Sequence, residues 1–313
     1  MKHIGGFFEL ETPGVEREHF HATALPVHTG RACLSLMIQA LKPTRVYVPH
    51  YTCDAALDPF RDAGIALTFY SIDRAWLPAD VPPMGPGDYL LYTNYFGLCE
   101  AQVSSLADQH GRNLLVDDTH AFFRGERPGL WSFTSARKSF GVPDGAYLYS
   151  PEELIVDLPE FTGFAIEHLE LRREGHQAEG FAAFQRYEQS LDGRVLTMSE
   201  FSRNSLARVD YGAAAARRRE NFQALDRELS SSNTLKFGLR ESVPFCYPYL
   251  PEVPIPHDRL YKHHVYPPVL WRDVLRRESP AWEQRLTQEV LPLPIDQRYG
   301  NTEMLTVVKS LGL

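Results

Sequence analysis

The chain has only four cysteines, Cys33, Cys53, Cys99 and Cys246, and no Cys-x-x-Cys pair. That spacing excludes a disulfide framework and the usual thiolate zinc sites, and leaves the reduced thiols of a cytoplasmic protein as the expectation. No run of eighteen apolar residues occurs, and the start Met1-Lys2-His3-Ile4-Gly5-Gly6 has no apolar h-region, so a soluble, unexported protein is expected. Basic charge is not in excess: 32 Lys and Arg stand against 40 Asp and Glu, for a net charge of −8. This balance argues against a polyanion-binding surface, so neither nucleic acid nor membrane is an expected partner. Low-complexity segments and internal repeats are also lacking.

What is present is an ordinary globular composition over 313 residues, 43% hydrophobic and 23% charged, enough for one large domain with a smaller one attached. Strand and helix patterns alternate in the first half. A helix is expected over 32–41, where Leu34, Ile38 and Leu41 share a face at helical spacing. Strands follow at 45–49, 65–70 and 89–93, with a helix from Tyr51-Thr52-Cys53-Asp54 to near Gly64 and a Pro- and Gly-rich loop at 82–87. This βαβ alternation calls for a parallel sheet wrapped by helices.

The chemistry concentrates between residues 114 and 149. Leu114-Leu115-Val116 reads as a buried parallel strand and ends in Asp117-Asp118-Thr119-His120. A carboxylate at the carboxyl end of such a strand is costly unless a ligand or partner meets it there. Further on, Trp131-Ser132-Phe133-Thr134-Ser135 leads into Ala136-Arg137-Lys138, then a turn, Gly141-Val142-Pro143-Asp144-Gly145, and a second apolar run at 146–149. An Asp able to meet a pyridinium nitrogen and a Lys able to form a Schiff base are the two groups that pyridoxal phosphate chemistry needs. Strand alternation puts only one of Asp117 and Asp118 into the site.

Two other segments bear on a site. Gly30 precedes a helix, and a helix N-terminus is a ready anion site through its free N–H groups and dipole. Asn94 and Tyr95 close the strand at 89–93, again at a carboxyl end, and are site-facing candidates. In the second half, 160–188 is charged and helix-favouring, with His168 and His176 read as surface residues. The three arginines 217–219 are spread around a helix axis and read as a solvated face. Lys262-His263-His264 has no third ligand at a plausible spacing, so no metal is expected.

Asp117-x-x-His120-Ala121 resembles the Asp-x-x-His/Gln-Ala motif of fold-type I pyridoxal phosphate enzymes, and Ser135-x-x-Lys138 before a glycine turn looks like their Schiff-base segment. The match is nearest to the DegT/StrS-type family of nucleotide-sugar aminotransferases, in a short, divergent form. The resemblance implies an α/β fold with a mostly parallel central sheet flanked by helices. It would divide the chain into a large cofactor-binding domain at 1–210, including a helical insert near 160–200, and a smaller C-terminal α+β domain at 211–313. It assigns Lys138 to catalysis, Asp117 to the pyridine nitrogen and His120 to the ring or its 3-oxygen. Gly30, Arg31 and Ser135 would hold the phosphate, with Asn94 nearby. Arg31 stands where the family has a hydroxyl. The family's stacking aromatic falls at Cys53, so Tyr51 or His50 is expected to substitute. The implied activity is transfer of an amino group from an amino acid to a keto-sugar nucleotide or similar small keto compound, by a cytoplasmic homodimer. The aromatic and proline runs at 245–249 and 261–271 would be buried at the subunit boundary. The alternative is a non-catalytic relative that binds a nucleotide sugar or a protein partner without transamination.

Overall fold

The computed structural model describes residues 3–12 and 14–313, so the reading of Met1 and Lys2 lies outside the described residues. In chain order the elements are β1 (Ile4–Gly5), β2 (Leu25–Val27), α1 (Gly30–Leu41), β3 (Arg45–Pro49), α2 (Asp54–Asp62), β4 (Ala66–Ile72), β5 (Pro78–Ala79) and β6 (Asp88–Thr93). They continue with α3 (Glu100–His110), β7 (Leu114–Asp117), β8 (Trp131–Ser135), β9 (Ala146–Tyr149), α4 (Glu167–Arg173), α5 (Gln177–Ser190), α6 (Glu200–Leu206) and α7 (Tyr211–Leu229). The C-terminal part holds β10 (Cys246–Tyr249), α8 (His257–Tyr261), β11 (Val265–Tyr266), α9 (Ala281–Glu289), β12 (Leu291–Pro294) and α10 (Asn301–Leu311).

Eight strands form one sheet in the order β2-β9-β8-β7-β6-β3-β4-β5. Its centre is parallel (β4, β3, β6, β7, β8), and the antiparallel strands β9, β2 and β5 sit toward its edges. Central strands read as unbroken apolar runs because both faces are covered. Leu90, Tyr92, Leu114 and Val116 face one core, whereas Leu91 and Leu115 face the other. The second core is closed by α1 and α2, through Ala32, Leu34, Met37, Leu57 and Phe60. The first continues without a break into α3, α7, α9 and α10, through Leu106, Phe222, Leu286 and Val307.

α1 begins two residues earlier than the apolar spacing predicts, because Thr29 caps it: the Ala32 N–H donates to Thr29 Oγ1 at 3.2 Å. The runs at 245–249 and 261–271 correct an expectation. Cys246, Tyr247, Tyr249, Val265 and Trp271 are buried within the chain itself, so these segments need no second copy to cover them. The segment at 160–200 carries α4 and α5, and His168 is buried against Tyr187 and not on the surface. Its position on the inner face of α4 follows from packing against α5, which α4's own polar sequence does not announce.

Burial makes several histidines acid-sensitive. Desolvation pushes His21 down to about 3 and His28 and His168 to about 4. In the unfolded chain these rings take up protons near pH 6.5, but in the fold they stay neutral until far lower. Stability is therefore lost as pH falls below about 6.5 toward 4, because the unfolded state binds more protons there. His21 alone should cost about 2 kcal/mol at pH 5, with His28 and His168 adding to it. Calorimetry at pH 7 and pH 5 checks this, and His21→Gln should narrow the gap between the two melting temperatures.

Candidate active site

Asp117 and Lys138 reach the same place from neighbouring strands. Asp117 is the last residue of β7, paired with Thr93 of β6 and Phe133 of β8. Lys138 closes the single turn at 136–138 that follows β8. Its Nζ donates to Thr119 Oγ1 at 3.0 Å, so the amine rests on the loop that follows Asp117. That turn is fixed from behind. The Ala136 N–H donates to the Gly145 carbonyl at 3.0 Å, and the Gly145 N–H to the His28 carbonyl at 2.7 Å. Gly145 has φ +126° and lies against Met198, where a Cβ would come 3.0 Å from the methyl carbon, so a side chain there would be strained.

The two adjacent acids separate as strand alternation requires. Asp117 Oδ1 accepts the Thr119 N–H at 2.9 Å and has no ion pair among the described residues. Asp118 turns to the opposite side, where Arg127 holds it by Nε at 2.6 Å and Nη2 at 2.8 Å. Asp118 is thus already paired with a cation, whereas Asp117 is not. Arg127 also reaches both oxygens of Glu100, at 2.8 and 3.1 Å. The Asn94 side chain belongs to this network. Its amide donates to Glu100 at 2.7 Å and to Asp118 at 2.9 Å, and its oxygen accepts the Cys99 N–H at 2.9 Å.

Other candidates are placed as follows. Gly30 is the first residue of α1, and a Cβ there would lie 3.4 Å from the Phe133 ring and 3.9 Å from Thr119, so the helix N-terminus sits close against the Asp117 loop. Arg31 points away to the insert, where its guanidinium donates to the Leu191 carbonyl; it is not free at the helix N-terminus. Ser135 ends β8, paired with Ala146 of β9, and starts the lysine turn. Tyr51 is fully buried, stacked on Tyr95 at 5.6 Å and edge-on to Trp271 at 4.4 Å, so it is not an exposed stacking face. Tyr95 is likewise buried, its hydroxyl donating to the Tyr51 carbonyl at 3.3 Å. His50 stacks on Phe69 at 5.0 Å.

Sequence reasoning missed the aromatic surroundings of His120. Phe245 stacks on its ring at 4.3 Å and Trp271 at 5.2 Å, both from the C-terminal part. Gly97, at φ +72°, backs the same residue; a Cβ there would collide with the His120 carbonyl at 2.4 Å. Arg218 was also misread as solvated. It is buried, and it and Gln297 both donate to the Ser139 carbonyl next to Lys138, at 3.2 and 2.8 Å. Arg218 also reaches the Phe245 carbonyl at 3.4 Å, tying the lysine turn to the ring on His120. Burial lowers its guanidinium to about 10, with Asp296 pulling the other way. No local pattern marks these residues, because each becomes inner only when α7 and the C-terminal segments dock on the sheet.

Burial, then the charge of Lys138, push His120 well below the ordinary histidine range, so its imidazole is neutral. Cys53 senses both groups: burial raises its thiol, Lys138 lowers it and Asp117 raises it. Thr93 Oγ1 and His120 Nδ1 are buried without a hydrogen-bond partner. An amine, a carboxylate without its own cation, unsatisfied polar atoms and a helix N-terminus fit a flat phosphorylated aldehyde with a basic ring nitrogen. Among the described residues no group of three His, Cys, Asp or Glu is placed to hold a metal ion, and no helix is long and apolar enough to cross a membrane.

No family model matches the chain, and no curated protein matches it in sequence. Solved structures match it over nearly its whole length. The aminotransferase TlmJ from Streptoalloteichus hindustanus superposes with a TM-score of 0.68 at 18% identity, covering 99% of this chain and 98% of that one. A DegT DnrJ EryC1 StrS aminotransferase from Brucella abortus gives 0.62 at 11% identity, over 92% and 85%. DesI, solved in the presence of its TDP-sugar product, gives 0.57 at 17% identity, over 92% and 79%. TlmJ matches this chain over its own length as well, whereas DesI and the Brucella abortus enzyme extend beyond the matched part. The chain shares the fold of these aminotransferases, a large, mostly parallel sheet flanked by helices.

Proposed function

We propose that the protein is a pyridoxal-phosphate-dependent aminotransferase that moves an amino group from an amino acid to a keto-sugar nucleotide or a similar small keto compound. The observation that carries this reading is the convergence of an ion-pair-free Asp117 and the Lys138 amine on one loop, Lys138 Nζ standing 3.0 Å from Thr119. The likeness to structures such as DesI with its TDP-sugar product supports the substrate class. Pyridoxal phosphate, when bound, supplies the electron sink for the carbanion formed at the amino-bearing carbon. The rest is done by side chains. Lys138 would anchor the cofactor and move the proton at that carbon. Asp117 would hold the proton on the ring nitrogen. The N–H groups that open α1 at Gly30, with Ser135, would take the phosphate. His120, neutral, offers the unsatisfied Nδ1 at the ring's polar edge. A division of labour near residue 210, a cytoplasmic location and a homodimer belong to the same proposal; the homodimer rests on the resemblance alone, since the C-terminal aromatic runs are buried within the chain.

The second reading, a scaffold that binds a nucleotide sugar or a protein without turnover, is favoured by Arg31 being spent on Leu191 and by Cys53 standing where a stacking ring is expected. One sample separates the two. Of protein mixed with pyridoxal phosphate, one portion treated with borohydride and mapped by peptide mass should carry the pyridoxyl group on Lys138, and a second, unreduced portion should transfer the amino group of glutamate to a keto-sugar nucleotide. An adduct on Lys262 or Lys309, or none, sinks the first reading, whereas an adduct on Lys138 without transfer selects the second. Asp117→Asn should fold normally and lower transfer on the order of 10²–10³-fold, since an amide does not hold the ring proton. Steady-state rates with circular dichroism check it.

A further inference from the structure

The segment that follows Lys138 is fastened at Ser139 by Arg218 and Gln297, and at Gly141 by a residue from the other end of the chain. Residues 7–12 belong to no helix or strand and lie across Gly141. The Glu11 N–H donates to the Gly141 carbonyl at 3.1 Å, and Glu11 Oε1 accepts the Gly141 N–H at 3.0 Å, so one residue holds both polar groups of that glycine. The approach is closer than a side chain would allow: a Cβ on Gly141 would stand 1.7 Å from the Glu9 carbonyl oxygen. Gly141 is not left-handed, so close approach and not φ is what calls for glycine there. Burial raises the Glu11 carboxyl, against the pull of the Gly141 N–H and of Arg298. The segment does not depend on that carboxyl for its own attachment. The Leu10 N–H donates to the Leu169 carbonyl of α4 at 3.1 Å, and Arg298 donates to the Phe7 carbonyl at 3.1 Å and lies over the Phe8 ring at 4.1 Å. Glu9 stands 3.6 Å from Arg298 and 3.8 Å from Arg172. What the Glu11 side chain adds is its hold on the lysine segment.

We propose that Glu11 is a positioning residue for Lys138: its carboxylate, bound to the Gly141 N–H, fixes the far end of the lysine segment as Arg218 and Gln297 fix Ser139, and so keeps the amine on the loop that follows Asp117. This rests on the cofactor reading above. Gly141 is buried, and a buried N–H stripped of its acceptor is costly, so the segment shifts to find another partner when the carboxylate is lost. A shift of about 1 Å is enough to spoil a reacting geometry.

The test titrates the full-length protein with pyridoxal phosphate and reads a signal that does not depend on turnover, the yellow absorbance of the lysine adduct, with circular dichroism to confirm that each variant is folded. Glu11→Ala should need about 10-fold more pyridoxal phosphate for half-saturation. Glu11→Gln keeps an oxygen acceptor for the Gly141 N–H and should bind within about 3-fold of wild type. Glu9→Gln, on the same segment, weakens the pairing with Arg298 and Arg172 but leaves Gly141 alone; it should melt slightly earlier and still bind within about 3-fold of wild type. If the alanine variant does not fold, Glu11→Met keeps the bulk without an acceptor and should show the same weakening. Alanine or methionine variants that bind as tightly as wild type overturn the inference while leaving the cofactor reading intact. So does a glutamine variant at 11 as weak as alanine, or a Glu9 variant that weakens binding as much. A wild type that forms no adduct at Lys138 overturns both.

Discussion

Lys138→Ala is expected to abolish the borohydride-stable pyridoxyl adduct and to lower any amino transfer by at least ~10³-fold, because one residue serves as both anchor and proton carrier. The fold should be almost untouched. Lys138 is half-buried, sits on a single turn and makes one side-chain hydrogen bond, to Thr119, so its loss should change unfolding free energy by no more than about 1 kcal/mol. The turn itself is held by backbone bonds from Gly145 and by the two donors on the Ser139 carbonyl, none of which involves the lysine amine. Lys138→Arg makes the comparison sharper, since it keeps a positive charge but offers no amine for the covalent bond. Both variants can be followed by absorbance, peptide mass and urea unfolding. A yellow, adduct-bearing Lys138→Ala protein would show that another amine does the work. A loss of activity accompanied by unfolding would show that the lysine acts through structure.

The largest effect on stability is expected from Arg127→Met, which should cost about 3–5 kcal/mol. Arg127 is buried with its guanidinium forked between Asp118 and Glu100, four contacts between 2.6 and 3.1 Å. Burial pushes the Asp118 carboxyl up against the pull of Arg127 and Asn94. Burial also works against Arg127, but the two carboxylates hold its proton more tightly than usual. Removing the cation therefore strands Asp118 in the interior with only Asn94 as a polar side-chain partner. The sign of the pH effect follows. Without Arg127 the folded protein binds a proton at Asp118 more readily than the unfolded chain does, so the variant's deficit should shrink as pH falls from 7 toward 5. Arg127→Met/Asp118→Leu should recover part of the loss at neutral pH, because the uncompensated charge has gone. Urea unfolding of the three proteins at both pH values is the measurement. A deficit below about 1 kcal/mol, or one that grows in acid, would mean that Asp118 is solvated in a way the buried network does not allow. Asp118→Asn accordingly belongs with the stability variants, and Asp117→Asn with the rate variants.

That separation of Asp117 from Asp118 illustrates how far local pattern reaches. Alternation along a strand requires the two to face opposite sides, and the spacing to His120 selects the first. The destination of the second depends on Arg127, which the chain supplies from the loop before β8. The same division holds elsewhere. The strands at 45–49 and 114–116, the helix behind Gly30 and the lysine turn were legible because each is written in neighbouring residues: apolar runs, helical spacing, glycines that permit the turn.

The chain alone therefore determined the alternating α/β scaffold and the pairing of a carboxylate with a lysine at the ends of adjacent strands. Its periodicity follows backbone geometry, which acts over a few residues. Only the tertiary structure decided that Arg218 and His168 lie inside, that Asn94 serves the Arg127 network, that Arg31 is bound to the insert, and that Trp271 and Phe245 close on His120. Each of those outcomes depends on surfaces far apart in sequence meeting face to face. Burial is set by that meeting, so the same arginine or tryptophan code is compatible with a solvated face or a packed one until the elements dock.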